Sequence, residues 1–162
     1  MLMSSFIMSK LDYCNIAIAG LPRCDLDRLQ SVINAAARLT AGAWRYDPIT
    51  PLLMDLHWLR MPQRIQYKLC ILVYRCLHGS APGYLQCFII PVSDMASRRH
   101  LRSASSGDLV VPSTRRLTMG YRAFAVAGPR AWNKLPASVR QSSSMDVFKR
   151  LLKAHLFALS FN

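Results

Sequence analysis

The sequence predicts a mainly α-helical protein: a helical bundle with a short β-hairpin or extended segment near 108–126 and a C-terminal helix. Three observations predict this class. Apolar residues recur three and four positions apart in several stretches, as they do on one face of a helix. Proline and glycine lie at the ends of these stretches. Apolar residues make up 52% of the 162 residues, which is enough to form a buried core.

The first 90 residues hold most of the predicted helices. Asp25 is a plausible N-cap for the second helix, and Gly42 is expected to end it. Thr50 is a plausible cap before Pro51, and Pro62 opens the following helix, because proline is favoured in the first turn. The predicted helices cover 1–19, Asp25 to Gly42, 51–56, Pro62 to Gly79, and 82–88.

The second helix combines an apolar stripe with two arginines that lie off that stripe, Arg28 and Arg38. The spacing predicts that the stripe faces the core. The pattern leaves open which way the two arginines point. The stripe consists of Leu26, Leu29, Ile33, Ala36 and Ala37.

The second half of the chain has a different composition. Residues 91–107 are rich in serine and arginine and predict a linker. Residues 108–113 and 121–126 have β-like composition and are predicted to pair as a hairpin, although the connection between them is long for one. We therefore divide the chain into a helical region at 1–90, the linker at 91–107 and a C-terminal extension at 108–162.

The C-terminal extension contains two further predicted helices. Residues 128–136 predict a short helix bounded by proline, with Trp132 facing inward. Serines and Asp146 open the final helix, which has the clearest apolar periodicity in the chain. Its predicted stripe is Val147, Phe148, Leu151, Leu152, Leu156 and Leu159.

The charge of the chain points to a polyanionic partner. Lysine and arginine total 21 against eight acidic residues, all of them aspartate, for a net charge of +13. Sixteen of the basic residues are arginine, whose guanidinium binds phosphate with two parallel hydrogen bonds. RNA, DNA or an RNA–DNA hybrid is therefore the favoured partner. The alternatives are a basic surface with no partner and an anionic membrane surface.

No motif for catalysis or for metal or cofactor binding is recognisable. The cysteines and histidines lack the spacing of a zinc site, and no phosphate-binding glycine loop is present. Five cysteines without a secretory signal favour free thiols in a reducing compartment, so we expect an intracellular protein, cytoplasmic or nuclear and not secreted. No apolar run is long enough to span a membrane. We expect no enzymatic activity from this chain on its own, and no cofactor.

Two arginine clusters are the strongest candidates for nucleic-acid contact. Arg98, Arg99 and Arg102 lie within five residues, and Arg115, Arg116 and Arg122 form a second group next to Tyr121. Clustered arginine with an aromatic neighbour suits phosphate contact with occasional base stacking. A solvated basic loop that binds nothing specific explains the same pattern equally well.

Five segments of the chain together resemble one family. In order they are "SKLDYCNIAIAGLP", "LDRLQSVINAAARLTAG", "ITPLLMDLHWLRMPQRIQYKLCILVYRCLHGSAPGYL", "LRSASSGDLVVPSTR" and "RAFAVAGPRAWNKLPASVR…FKRLLKAHLF". The chain from about residue 9 to 159 is similar to the C-terminal region of reverse transcriptases of non-LTR retrotransposons, the LINE type, especially the CR1/L2-like branch.

The resemblance implies a thumb-like helical region followed by a C-terminal extension. It implies that the thumb helices hold the template–primer duplex by its backbone, with Arg28 and Arg38 as carried-over contact residues. The catalytic palm of that family carries two adjacent aspartates, and this sequence has no Asp-Asp dipeptide. The resemblance therefore implies a duplex-binding fragment without polymerase activity.

Two alternatives remain open at this point. A helical interaction module would dock on the missing polymerase core or on another protein through an exposed stripe at Leu26, Leu29, Ile33 and Ala37. A translated transposon remnant would have no present function and would fold poorly. The predicted first helix begins at Met1 with no capping residue before it, which fits the start of translation inside a reading frame that was once longer.

Overall fold

The computed structural model describes residues 2–13, 16–95, 107–115 and 119–161. These residues are mainly helical, which confirms the predicted fold class. Nine α-helices lie in the described ranges, with one 3-10 turn at Val92–Asp94. The helices are α1 Leu2–Tyr13, α2 Arg23–Ala41, α3 Ile49–Asp55, α4 Met61–Leu77, α5 Gly83–Gln86, α6 Met119–Arg122, α7 Phe124–Asn133, α8 Ala137–Arg140 and α9 Met145–Phe161.

Helix α4 is the centre of the bundle. It packs against α7, α9, α2 and α5. An aromatic group lies beside its buried residues. The ring of Tyr74 stacks on that of Phe148 with 4.4 Å between centroids, and the Trp132 ring centroid is 5.7 Å from that of Phe148. The core therefore joins residues from the predicted segments 1–90 and 108–162.

Proline and glycine mark the helix boundaries largely as predicted. Gly42 adopts a left-handed conformation, with φ of 65°, and its N–H donates to the carbonyl of Arg38 at the end of α2. Pro62 lies in the first turn of α4. The predicted N-cap at Asp25 is wrong, because α2 begins at Arg23 after Pro22. The carboxylate lies instead in the first turn, where the helix dipole favours negative charge.

Two other helix boundaries also differ from the prediction. Thr50 does not cap α3, which begins one residue earlier, at Ile49. The first helix ends at Tyr13, and residues 16–20 form turns. Asp12 ties α1 to α4, since Nη2 of Arg64 lies 2.6 Å and Nζ of Lys68 lies 3.5 Å from its carboxylate oxygens.

The predicted hairpin at 108–113 and 121–126 is wrong as a pairing of those two segments. Residues 119–133 are helical apart from a bend at Ala123. Leu109 lies in extended chain and forms an isolated antiparallel bridge with Pro91. The extended segment thus finds its backbone partners at residues 90–92, where the predicted linker begins.

Helix α9 closes the bundle on one side. Its first turn is capped by Ser144, whose hydroxyl oxygen accepts a bond from the N–H of Val147. The predicted stripe is only partly buried. Phe148, Leu152 and Leu156 are fully buried in the core, whereas Leu151 and Leu159 are exposed. The helix therefore buries a narrower face than its apolar residues predict.

Candidate nucleic-acid interface

Half of the eight arginines predicted to contact nucleic acid are described by the structure. Arg98, Arg99, Arg102 and Arg116 lie outside the described residues. The described four are Arg28, Arg38, Arg115 and Arg122. They occupy three separate parts of the chain: helix α2, a bend at Arg115 after the extended segment, and α6.

Arg28 and Arg38 lie on the same helix but at opposite ends. They are ten residues apart, which corresponds to roughly 15 Å along the helix axis. The side chain of Arg28 is 83% exposed, and its Nη1 lies 3.5 Å from Oδ1 of Asp25. Arg38 is half-buried and donates from Nη2 to the backbone carbonyl of Asp47, at 3.3 Å. The two arginines therefore do not form one continuous contact surface.

Arg122 lies at the edge of a half-open cleft of about 600 Å³. Its Cγ packs directly above Gly20, where an added Cβ would be 2.9 Å away. Gly20 also has a φ of 76°, which side chains of L-amino acids rarely adopt. The turn before α2 and the end of α6 thus fit together only because residue 20 is glycine.

Two basic residues that the sequence analysis missed line the same cleft. Arg130 and Lys134 lie one helical turn apart at the end of α7, so their side chains project on the same side. Both residues are exposed. The spacing of four residues in "RAWNK" is the signal that could have predicted this pair.

An arginine–tyrosine contact shapes one wall of the cleft. The guanidinium carbon of Arg130 lies 4.0 Å from the ring centroid of Tyr121, within the range of a cation–π interaction. This contact holds the guanidinium at the wall of the cleft, where its N–H groups can donate to an anion. The floor is apolar and comes from α4, with Pro62, Ile65 and Leu69.

The charged side chains among the described residues that line the cleft are all positive. Arg122, Arg130 and Lys134 supply three positive charges. Among the described residues that line it, none carries a carboxylate. Two aspartates elsewhere are paired with other arginines, Asp108 with Arg140 and Asp12 with Arg64. Uncompensated cations in a concave site attract anions such as phosphate groups.

The described titratable groups show no arrangement for metal binding. No group of three or more histidine, cysteine or acidic side chains in 2–13, 16–95, 107–115 and 119–161 is placed to hold a metal ion. Burial raises the pKa of the Cys70 thiol to about 12, and burial also raises the pKa of Cys76. Both thiols are therefore protonated, and poor nucleophiles, at neutral pH.

The fold and the cleft together define a mainly helical, strongly basic protein with a cleft lined by two arginines and a lysine. Comparison of the chain with protein-family models, with curated proteins and with solved structures found no match. Within the part of the chain that the structure describes, no helix has both the length and the apolar character needed to cross a membrane.

Proposed function

We propose that this chain is a non-catalytic C-terminal fragment of a reverse transcriptase of the non-LTR retrotransposon type, which binds nucleic-acid duplexes without sequence preference. The resemblance from about residue 9 to 159 supports the family, and the net charge of +13 supports the polyanionic partner. The single observation that carries the binding proposal is the cleft lined by Arg122, Arg130 and Lys134, in which no described lining residue carries a carboxylate.

The proposed contact is to the phosphate backbone. A cleft of about 600 Å³ is too small to admit a duplex, so the duplex lies across its opening and phosphates project inward. Arg130 donates from the edge of a guanidinium held over Tyr121, and Lys134 adds a point charge one helical turn away. Such contacts give affinity without base readout, and they make the affinity strongly dependent on salt.

Titration of a labelled RNA–DNA hybrid by fluorescence anisotropy, from about 50 to 200 mM salt, tests the proposal. The double variant Arg130→Gln/Lys134→Gln removes two phosphate contacts, so the slope of log K against log salt should become shallower by about 2. The matched control is Arg75→Gln/Arg150→Gln, which removes the same charge from exposed positions outside the cleft.

A slope that changes equally in both double variants would contradict the proposed role of the cleft, because it would show a diffuse effect of net charge. Absence of saturable hybrid binding by the wild-type chain at the lower salt concentration would contradict the proposed function itself.

The burial of α2 weighs against the interaction-module alternative in its predicted form. Ile33 and Ala37 are fully buried in the core, and Leu26 and Leu29 are packed against it. The stripe that was expected to dock on a partner is thus already covered by the chain itself.

The transposon-remnant alternative predicts poor folding. The described core predicts the reverse, namely one cooperative thermal transition, because the aromatic cluster around Phe148 joins the segments before and after the predicted linker. Calorimetry that gives equal calorimetric and van't Hoff enthalpies would confirm this expectation. Gradual, non-cooperative unfolding would favour the remnant.

A further inference from the structure

The connection between α2 and α3 exposes two large aromatic side chains. Trp44 is 82% exposed and Tyr46 is 91% exposed, with Arg45 between them. Both rings are therefore absent from the hydrophobic core, although large aromatic residues contribute most when buried. Exposed aromatic side chains grouped in one place usually mark a binding surface.

The backbone that carries these rings is held in place. The N–H of Trp44 donates to Oδ2 of Asp47 at 2.7 Å, and the N–H of Asp47 donates back to the carbonyl of Trp44 at 3.2 Å. Arg38 donates to the carbonyl of Asp47 from the end of α2. A turn closed by three hydrogen bonds presents the rings at low entropic cost to a ligand.

The surroundings of the rings are cationic. An open hollow of about 570 Å³ lies between the end of α2 and this turn, and its polar lining consists of the Arg38 and Arg45 side chains together with backbone. The guanidinium carbon of Arg45 is 6.0 Å from the ring centroid of Tyr46. The carboxylate of Asp47 accepts the Trp44 N–H and is not among the described residues that line the hollow.

We infer that this turn, residues 43–47, is a binding site for unpaired bases of single-stranded nucleic acid. Bases stack on the rings of Trp44 and Tyr46, and Arg38 and Arg45 contact the adjoining phosphates. Exposed aromatic rings combined with arginine are the pattern of single-strand binding, since every base offers a π-face. Bases within a duplex are already stacked on each other and cannot use these rings, so the site complements the duplex-binding cleft.

The inference rests on the proposed function in taking nucleic acid as the ligand, but it uses different residues and a different strand state. The test therefore compares three labelled probes with the full chain: a thymidine oligonucleotide of about 20 nucleotides, an abasic strand with the same number of phosphates, and a blunt RNA–DNA hybrid. The variant is Trp44→Ala/Tyr46→Ala. The control is Tyr84→Ala, because Tyr84 is exposed at a distant helix, α5.

The expected result is a loss of affinity of about tenfold or more for the thymidine strand in Trp44→Ala/Tyr46→Ala, since each stacked base contributes substantially. Affinity for the abasic strand and for the hybrid should change by less than about twofold. Tyr84→Ala should bind all three probes like the wild type. Trp44→Phe keeps a stacking ring, so it should retain most of the affinity while losing the quenching of tryptophan emission that base stacking causes.

Three outcomes would overturn the inference: unchanged affinity of Trp44→Ala/Tyr46→Ala for the thymidine strand, an equal loss for the abasic strand, or loss only of self-association, which would assign the rings to a protein contact. Failure of the proposed function is distinguishable. Hybrid binding would then be absent or independent of Arg130 and Lys134, while thymidine-strand binding would still depend on Trp44 and Tyr46.

Discussion

The side-chain amide of Asn133 bonds to both backbone polar groups of Leu109. The N–H of Leu109 donates to Oδ1 of Asn133 at 2.9 Å, and Nδ2 of Asn133 donates to the carbonyl of Leu109 at 2.9 Å. On its other side the extended segment pairs with residues 90–92, through Val92 N–H to Asp108 and Val110 N–H to Ile90. One asparagine at the end of α7 thus takes the place that a neighbouring β-strand would occupy.

Replacement of Asn133 by alanine should lower the free energy of unfolding by about 2 kcal/mol or more, because the buried Leu109 would lose a partner for both backbone groups. Urea unfolding measures the change. Asn133→Asp keeps the acceptor and loses the donor, so its effect should be unfavourable as well. The control is Gln141→Ala at an exposed position, and an equal effect in the control would contradict the prediction.

Gly128 allows α7 to approach α4 closely. A Cβ at this position would lie 3.0 Å from Cγ2 of Val73 and 3.1 Å from Cε2 of Phe124. Gly128→Val should therefore destabilise the protein by about 1–3 kcal/mol through overpacking. In the double variant Val73→Ala/Gly128→Val the new side chain fills the vacated space. The double variant should then be more stable than the sum of the two single changes predicts.

Additive effects in that double-mutant cycle, measured by urea unfolding, would show that residues 73 and 128 do not share the same space. A coupling energy near zero would thus contradict the packing described for the two helices.

Cys70 should make stability fall at high pH. Burial raises its pKa from 9.0 to about 12, so the folded protein keeps the thiol proton where the unfolded chain loses it. The stabilising contribution is complete below about pH 9 and is lost as the pH rises toward 12, with a slope of up to about 1.4 kcal/mol per pH unit. Urea midpoints measured at increasing pH should fall more steeply in the wild type than in Cys70→Ala.

Cys24 is exposed, so Cys24→Ala offers a matched control for the loss of a thiol. Alkylation gives a second measurement: near pH 8 the exposed Cys24 and Cys87 should react quickly, whereas the buried Cys70 should react only after unfolding. Rapid labelling of Cys70 in the folded protein would argue against its burial.

The arginine cluster at 98–102 should add to the salt dependence of binding. If about four arginines of the segment 98–122 contact phosphates, the slope of log K against log salt should be near −3 to −4. Changing Arg98, Arg99 and Arg102 together to alanine should make that slope shallower. An unchanged slope in this triple variant would remove the cluster from the interface.

Local sequence signals predicted most helices because a helix depends on neighbours within four residues. Gly42 and Pro62 end and open helices in the structure as their chemistry predicts. The predicted start of α2 at Asp25 was wrong, because a carboxylate is favourable both at the N-cap and in the first turn of a helix. The two positions look alike in sequence.

The hairpin prediction was wrong for a different reason. The segments 108–113 and 121–126 have strand-like composition, but the propensity of a strand depends on its neighbours in space. The second segment is helical and packs against the bundle, and Leu109 pairs with Pro91 and Asn133 instead. Nothing in a local window of sequence indicates a partner that lies 24 residues away.

The candidate site was predicted only in part. Arg122 was selected because it lies close to other arginines in sequence, and it does line the cleft. Arg130 and Lys134 were missed because the apolar, buried Ala131 and Trp132 lie between them, so the pair shows in sequence only as a spacing of four residues and not as a run of basic residues. Their importance depends on the stacking of Arg130 over Tyr121, which brings together residues nine positions apart.

The sequence by itself determined the helical class, the strong positive charge and most of the helix boundaries, because these follow from composition and from interactions within a few residues. Only the tertiary structure decided which cations lie in a cleft without a carboxylate among its described lining, and which aromatic rings face solvent. Packing around α4, the central helix of the bundle, sets which side chains are buried and which are exposed. Trp132 is buried because it lies on α7, which packs on α4, whereas Trp44 lies in the connection between α2 and α3 and stays exposed.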